Sequence, residues 1–426
     1  MKGYINMKKT IKLILLSGCL MATGCGNTSS EMNNTNDNNE EIVVEVVSED
    51  GKMKVLTKEL VGVNDDGTYL VKVVVKQGKE EEIKELFCRI DKEGNILNTY
   101  ENVESMTCFT NGQSIVGIRK TNSISSDEVT LYGVMNPSGK WIIEADYNEI
   151  EPLNQNFYTL LKEKFDDFGS LGYAKTVVNN QGDFIIEIEP TETLFLNDTT
   201  DFIFYNGQIY SYTGEVSELD LDFSRHYDEQ AYGEDYYVLR DAETEIQYYI
   251  KPDGSITTYE NHDWNKEKIN PFNNTYWKWD EDNMEFVYYV NDKATDIRDA
   301  SSPAMPDTHG RMIVSNNKDE SYIACPDGTI VSKKPYKMIK RFKNAGYVLA
   351  QELRENHTGG YWVVVDKDGN EVIGAEARIV EVNDDSPVVG IRNEEGNVQH
   401  KLLNLYTAEI LDEFELMEKF VEALEQ

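Results

Sequence analysis

Lys251-Pro252-Asp253-Gly254-Ser255-Ile256 returns seventy-four residues later as Cys325-Pro326-Asp327-Gly328-Thr329-Ile330. Each phrase closes one run of β-formers and opens the next. The same grammar stands at Asp91-Lys-Glu-Gly94, Asn136-Pro-Ser-Gly139, Asn179-Asn-Gln-Gly182, Asp366-Lys-Asp-Gly369 and Asn393-Glu-Glu-Gly396. A type I turn followed by a residue with positive φ explains the pattern, because glycine there carries no Cβ penalty. Pro252 and Pro326 pre-set φ at the second turn position, and the leading Asp or Asn hydrogen-bonds nearby backbone. The turn acids therefore read as turn-formers, not catalysts.

Between the turns lie runs such as Tyr69-Leu-Val-Lys-Val-Val-Val75, Tyr236-Tyr-Val-Leu-Arg240, Phe286-Val-Tyr-Tyr-Val290 and Tyr361-Trp-Val-Val-Val365. Aromatic and β-branched residues in runs of four to eight are the mark of strands, and no helical period precedes residue 411. The turn glycines at 94, 139, 182, 214, 254, 328 and 369 are spaced 45, 43, 32, 40, 74 and 41 apart, the 74 reading as two units. A period near 40 with several strands per unit marks a repeat β architecture. The body from 42 to 410 has room for eight or nine such units. A β-propeller of seven or eight antiparallel blades removes long exposed edges by closing in a circle, and is preferred over an open β-hairpin solenoid, which would need caps.

Leu131-Tyr-Gly-Val-Met-Asn-Pro-Ser-Gly-Lys-Trp-Ile-Ile-Glu-Ala-Asp-Tyr-Asn-Glu-Ile150 resembles the WG-repeat (KWG) family of bacterial β-repeat proteins. Gly133, Gly139-Lys140 and Tyr147-Asn148 match that unit, Tyr132 stands at its tryptophan position, and Glu144 departs from its proline. Looser copies begin at Gly172-Tyr173 and Gly360-Tyr361-Trp362. The resemblance implies binding or scaffolding and carries over no catalytic residue.

The two ends differ from the body. Leu411 to Gln426 places Phe414, Met417, Phe420 or Val421, and Leu424 on one stripe, an amphipathic helix (411–426) expected to cap the β body. At the other end, Met7-Lys8-Lys9-Thr10-Ile11-Lys12 precedes an apolar Leu13 to Ala22, then Thr23-Gly24-Cys25. That is a signal segment (1–24) ending in a lipobox-like Ala22-Thr23-Gly24-Cys25, with Cys25 as the lipidated residue. The apolar run falls short of the ~20 residues a spanning helix needs. Leu16-Ser17-Gly18-Cys19 is a rival site, but leaves too short an apolar core. Residues 25–41 are Asn/Ser/Thr/Glu-rich and read as a disordered tether. The expected location is the extracytoplasmic face of a bacterial cell membrane, held through the lipid on Cys25.

The chain carries 77 acidic and 41 basic residues, a net charge of −36. Removing the four lysines of the signal segment leaves −40 on the remainder. Such a field repels nucleic acid, which is excluded as a partner. Cys88, Cys108 and Cys325 remain after export, an odd number that argues against a disulfide framework, although Cys88 and Cys108 could pair on neighbouring strands. His226, His262, His309, His357 and His400 show no zinc spacing, so no metal or cofactor is expected. No P-loop, GxGxxG or Gly-x-Ser-x-Gly motif occurs, and no catalytic residue is nominated. Tyr276-Trp277-Lys278-Trp279 and Tyr361-Trp362 alternate along strands, which makes Trp277, Trp279 and Trp362 the candidate ligand-facing aromatics. Their competing role is to fill the core between blades. The reading is a lipid-anchored scaffold for an envelope protein or wall polysaccharide; a carbohydrate-active propeller enzyme is the alternative.

Overall fold

The computed structural model describes residues 53–425 except 78–81, 122–127, 167–168, 195, 197–199, 220, 222–226, 232–235, 242, 245, 252, 260–265, 308, 341–344, 356–358 and 383–387. The signal segment, the tether and Cys25 lie outside the described residues. Among the described residues the chain forms seven antiparallel sheets in strict sequence order. Sheet 1 holds the strands Lys54–Val63, Tyr69–Gln77, Glu82–Ile90 and Ile96–Glu101. Sheets 2 to 6 span 105–147, 149–188, 202–218, 227–259 and 266–299. Sheet 7 spans 312–411 and is ten-stranded. It consists of three meanders joined through single residue pairs, Ser321↔Tyr336 and Trp362↔Ile379. Among the described residues, six separate sheets and three groups of strands within sheet 7 make nine units, more than the seven or eight blades expected.

The strand sequences explain why these sheets stack. Side chains alternate between the two faces of a strand, and here both faces are apolar. Val71, Val73 and Val75 of one strand join one cluster, whereas Leu70 between them joins the next. Leu160 and Phe157, Leu239 and Val238, and Val364 and Val363 divide in the same way. Nine buried clusters follow one another along the chain: sheet 1 to 2, 2 to 3, 3 to 4, 4 to 5, 5 to 6, 6 to 7, two inside sheet 7, and a last that returns to sheet 1. An array in which the final interface meets the first sheet is a propeller. At about 1.5–3 kcal/mol for each fully buried Val, Leu, Ile or Phe side chain, these interfaces dominate the stability.

The turn between the third and fourth strands of a unit rests on the outer strand of the unit before it. A methyl group built on Gly182 would lie 2.7 Å from the carbonyl oxygen of Ile142, and Gly328 and Gly369 press on Thr295 and Val331 in the same way. In sheet 1 the seat is different. Gly94 faces Lys419 and Phe420, whose Cβ and backbone N would each lie 2.8 Å from an added methyl. The helix Glu413–Leu424 thus occupies the place an outer strand fills elsewhere. Asp412 caps it by accepting from the Glu415 N–H (3.1 Å), and Leu416, Met417, Phe420 and Leu424 are its buried residues. They join Tyr69, Val71, Leu86, Cys88 and Leu402 in the closing cluster. The expected C-terminal cap is therefore present, and it serves as the clasp of the ring.

Replacing Phe420, which has no exposed surface, with Ala is expected to lower stability by about 3–5 kcal/mol in urea titrations. Phe414, 68% exposed, should tolerate the same change within about 0.5 kcal/mol. Equal losses at the two positions would show that the helix does not seat on sheet 1.

Candidate functional site

The aromatic stripe is the first place the structure corrects the sequence. Trp277 is 1% and Trp362 is 6% exposed, so neither faces a ligand. The alternation was read correctly, but both faces of these strands are covered. Trp277 packs with Tyr288 and Ile297 toward sheet 7, while its neighbour Tyr276 packs toward sheet 5. Trp362 lies among Leu349, Val364 and Leu403. Trp279 alone of the three is half-buried, edge-on to Phe286 at 4.8 Å between ring centroids.

At the end of the ring that carries these hairpins, polar side chains join each turn to the next. The Asn64 side-chain oxygen accepts the Phe109 N–H (2.8 Å), Asn154 donates to the Thr200 carbonyl (2.8 Å), and Asn404 donates to the Gly67 carbonyl (2.8 Å) and Tyr69 hydroxyl (3.0 Å). Buried tyrosines add to this: Tyr100 donates to the Pro137 carbonyl (2.7 Å) and Tyr288 to the Pro326 carbonyl (3.0 Å). The turn acids behave as expected. Asp91 and Asp366 each accept backbone N–H groups two and four residues on. Burial alone would raise Asp366, but the Asn370 side chain and backbone N–H groups hold it below its ordinary value.

Asp65 and Asp66 sit where the first two units meet the last. Burial pushes Asp65 up, partly offset by the Asn111 N–H it accepts. Asp66 is also desolvated, but Thr68 and Arg89 bring it down. Neighbouring carboxylates shifted in opposite directions are one sign of acid–base chemistry. Here each is already tied to donors that close a turn. A second acid pair, Glu352 and Glu371, is bridged by Lys334 at 3.3 and 2.7 Å.

The most deeply buried basic side chain among the described residues is Arg311, 2% exposed. Its guanidinium meets Asp307 at 2.8 Å and donates to the Ala345 (3.0 Å) and Gly346 (3.1 Å) carbonyls. Burial, then Arg311 itself, lowers the pKa of the adjacent His309. His226, His262 and His357 lie outside the described residues. Among the described residues no three His, Cys, Asp or Glu converge as metal ligands. Cys88, Cys108 and Cys325 are free thiols. Cys88 belongs to the closing cluster and Cys108 to the cluster between sheets 1 and 2, so opposite faces of one sheet hold them apart.

Sequence reading missed two features. Arg311 follows a turn glycine and carried no signal. The second is a basic stretch: from 328 to 351 there is no acidic residue, and six Lys or Arg fall within 333–343. Charge counted in a local window would have found it.

No family model matches the chain, and no curated protein matches it. Solved structures do match at low identity. A eukaryotic initiation factor is 10% identical, with 86% of this chain and 97% of that one covered and a TM-score of 0.35. An acylaminoacyl peptidase of Pyrococcus horikoshii is 12% identical over 82% of this chain, at a TM-score of 0.29. The matched part is 51%, about half, of the peptidase. Hsv2 of Kluyveromyces lactis is 10% identical, covers 81% of this chain and 98% of its own, and has a TM-score of 0.24.

Two predictions follow the chemistry of the closing seam. Hydrogen bonds from Lys92 and Lys401 hold Glu409 and Asp412 below their ordinary values of 4.5 and 3.8. Their contribution is present above those values and lost as pH falls through the lowered ones. Asp65, raised, acts in the opposite sense and offsets part of it. The urea midpoint is expected to drop between about pH 5 and 3, and Asp412→Asn to flatten that drop; an unchanged slope would remove Asp412 from the seam. Burial pushes Cys88 up to about 12 and Cys108 to about 11. Alkylation of the native protein near neutral pH should therefore spare Cys88 until denaturant is added, with all three thiols then titrating. A Cys88–Cys108 disulfide in a non-reducing digest would contradict the structure.

Proposed function

We propose that this chain is an exported lipoprotein whose propeller body is a non-enzymatic binding scaffold, held at the extracytoplasmic face of a bacterial membrane through Cys25. The observation that carries the reading is the order of segments. A basic start, a short apolar run and Ala22-Thr23-Gly24-Cys25 stand ahead of residues 26–52, after which the first strand begins at Lys54. Residues 25–41, rich in Asn, Ser, Thr and Glu, are the tether this reading assigns. The WG-like unit at 131–150 supports a scaffold, because proteins of that kind bind through repeated β units. The chain's excess of acid disfavours a nucleic acid or a bare anionic membrane as partner.

The body's own construction points the same way. Its turn acids close their own hairpins, and its turn asparagines, buried tyrosines and Arg311 hold units together, so recognition falls to the exposed strands and loops. An envelope protein or a wall polysaccharide is the ligand class proposed. No cofactor enters the reading.

Metabolic labelling with a palmitate analogue should mark the wild-type chain, and Cys25→Ser should abolish the label and release the protein from the membrane fraction. Loss of label with Cys19→Ser instead would move the anchor, and retention by both variants would overturn it. Partner capture from intact cells then tests the scaffold. Saturable retention of one protein or glycan is expected, whereas degradation of a sugar polymer would replace the scaffold with an enzyme.

A further inference from the structure

The strand Tyr336–Lys340 is chemically out of place in this molecule. It lies in the acid-free stretch noted above, in a chain of net charge −36. One side of it is paired: Tyr336, Met338, Ile339 and Lys340 stand opposite Glu352, Gln351, Ala350 and Leu349. On the other side the described pairing is Ser321↔Tyr336 and nothing further along the strand. Backbone N–H and C=O groups beyond Tyr336 on that side form an edge that a further strand can extend.

The side chains give the edge its character. Met338 is 47% exposed, an apolar side chain facing water at mid-strand. Lys337 reaches Asp319 at 3.0 Å, a carboxylate 75% exposed, so the pair is a surface contact that a ligand can exchange. Lys333 donates to the neutral Asn370 side chain at 2.6 Å, and the Lys340 ammonium lies 5.4 Å from the Trp362 ring centroid. Lys334 is neutralised locally by Glu352 and Glu371.

We propose that the strand Tyr336–Lys340 is a docking edge for an acidic, extended peptide segment of a protein partner, which adds along residues 337–340 as a new strand. Main-chain hydrogen bonds would supply affinity and alternate side chains selectivity, as in other strand additions. A glutamate on one face of the added strand would meet Lys337, and an apolar residue would cover Met338. The inference takes up the protein half of the scaffold reading and does not depend on the lipid anchor. Edge lysines also have a purely protective use, keeping sheets from pairing. That rival predicts no binding at all.

The test is calorimetric titration of the full chain carrying Cys25→Ser with a ten-residue peptide of alternating glutamate and valine. Saturable, salt-sensitive binding is expected, weakened by about tenfold with Lys337→Glu or Met338→Glu. Unchanged thermal unfolding of both variants would show that the sheet is intact. No saturation at millimolar peptide, equal binding of a lysine–valine peptide, or indifference to both substitutions would overturn the proposal. If the peptide fails while capture from cells still retains a protein, this edge is refuted and the scaffold stands.

Discussion

Leu70 and Val71 are consecutive residues of one strand, point to opposite faces, and expose no surface. Everything larger in the molecule depends on that arrangement. A sheet with a single apolar face can rest on a helix layer or on one partner sheet. A sheet with two needs a neighbour on each side, and so does every neighbour. A row of such sheets always has two uncovered faces at its ends, and the cheapest cover for one end is the other. The closing cluster joins Val71 and Val73 near the start of the body to Leu402 and Phe420 near its finish. Contacts across more than 330 positions, such as Asn404 to Gly67 and Glu425 to Val55, belong to that single seam.

The seam is not a copy of the other eight. The last strand is Glu409–Leu411, and the Gly94 turn seats on the helix beyond it. The chain continues after Asp412 as a helix whose buried stripe meets the same turn. Helix and strand are interchangeable there because the requirement is apolar surface of the right depth, not a hydrogen-bonded edge. The polar needs of the first strand are met separately: the Glu425 carboxylate accepts the Val55 N–H at 3.1 Å, and Lys58 donates to the Met417 carbonyl at 3.2 Å.

Local chemistry made much of this legible in the sequence. The turn phrases are local: their first residue, their glycine and their hydrogen bonds lie within five positions, so Asp91 to Asn95 can be read without its surroundings. The amphipathic stripe at 413–424 is equally local, although Phe414, read into it, is exposed and Leu416 is buried in its stead. What failed to read was everything decided by a neighbouring unit. Alternation at Tyr276-Trp277 correctly gives two faces, but only the stacked sheets show that neither is wet. Likewise Cys88 and Cys108 are near in sequence and divided by a sheet. Counting meanders was possible from the period near 40; seeing that three of them fuse into one ten-stranded sheet was not, because the joins are the isolated pairs Ser321↔Tyr336 and Trp362↔Ile379.

The acidity and the architecture are connected. Aspartate and asparagine open the hairpins because a side-chain oxygen can accept two backbone N–H groups there, and repeating the unit repeats the charge. The seven turn phrases hold eight of the 77 acidic residues, so a part of the acid is a consequence of building with this turn. A departure from the rule is more informative than the rule. The stretch 328–351 begins at the glycine that closes the Cys325–Gly328 turn and contains no acid at all. Nothing in ring closure demands lysines on the strand Tyr336–Lys340, whose core contribution comes from Tyr336 and, in part, Ile339. Side chains that the fold does not require, concentrated where the local sign of the charge reverses, set this strand apart from the rest of the body.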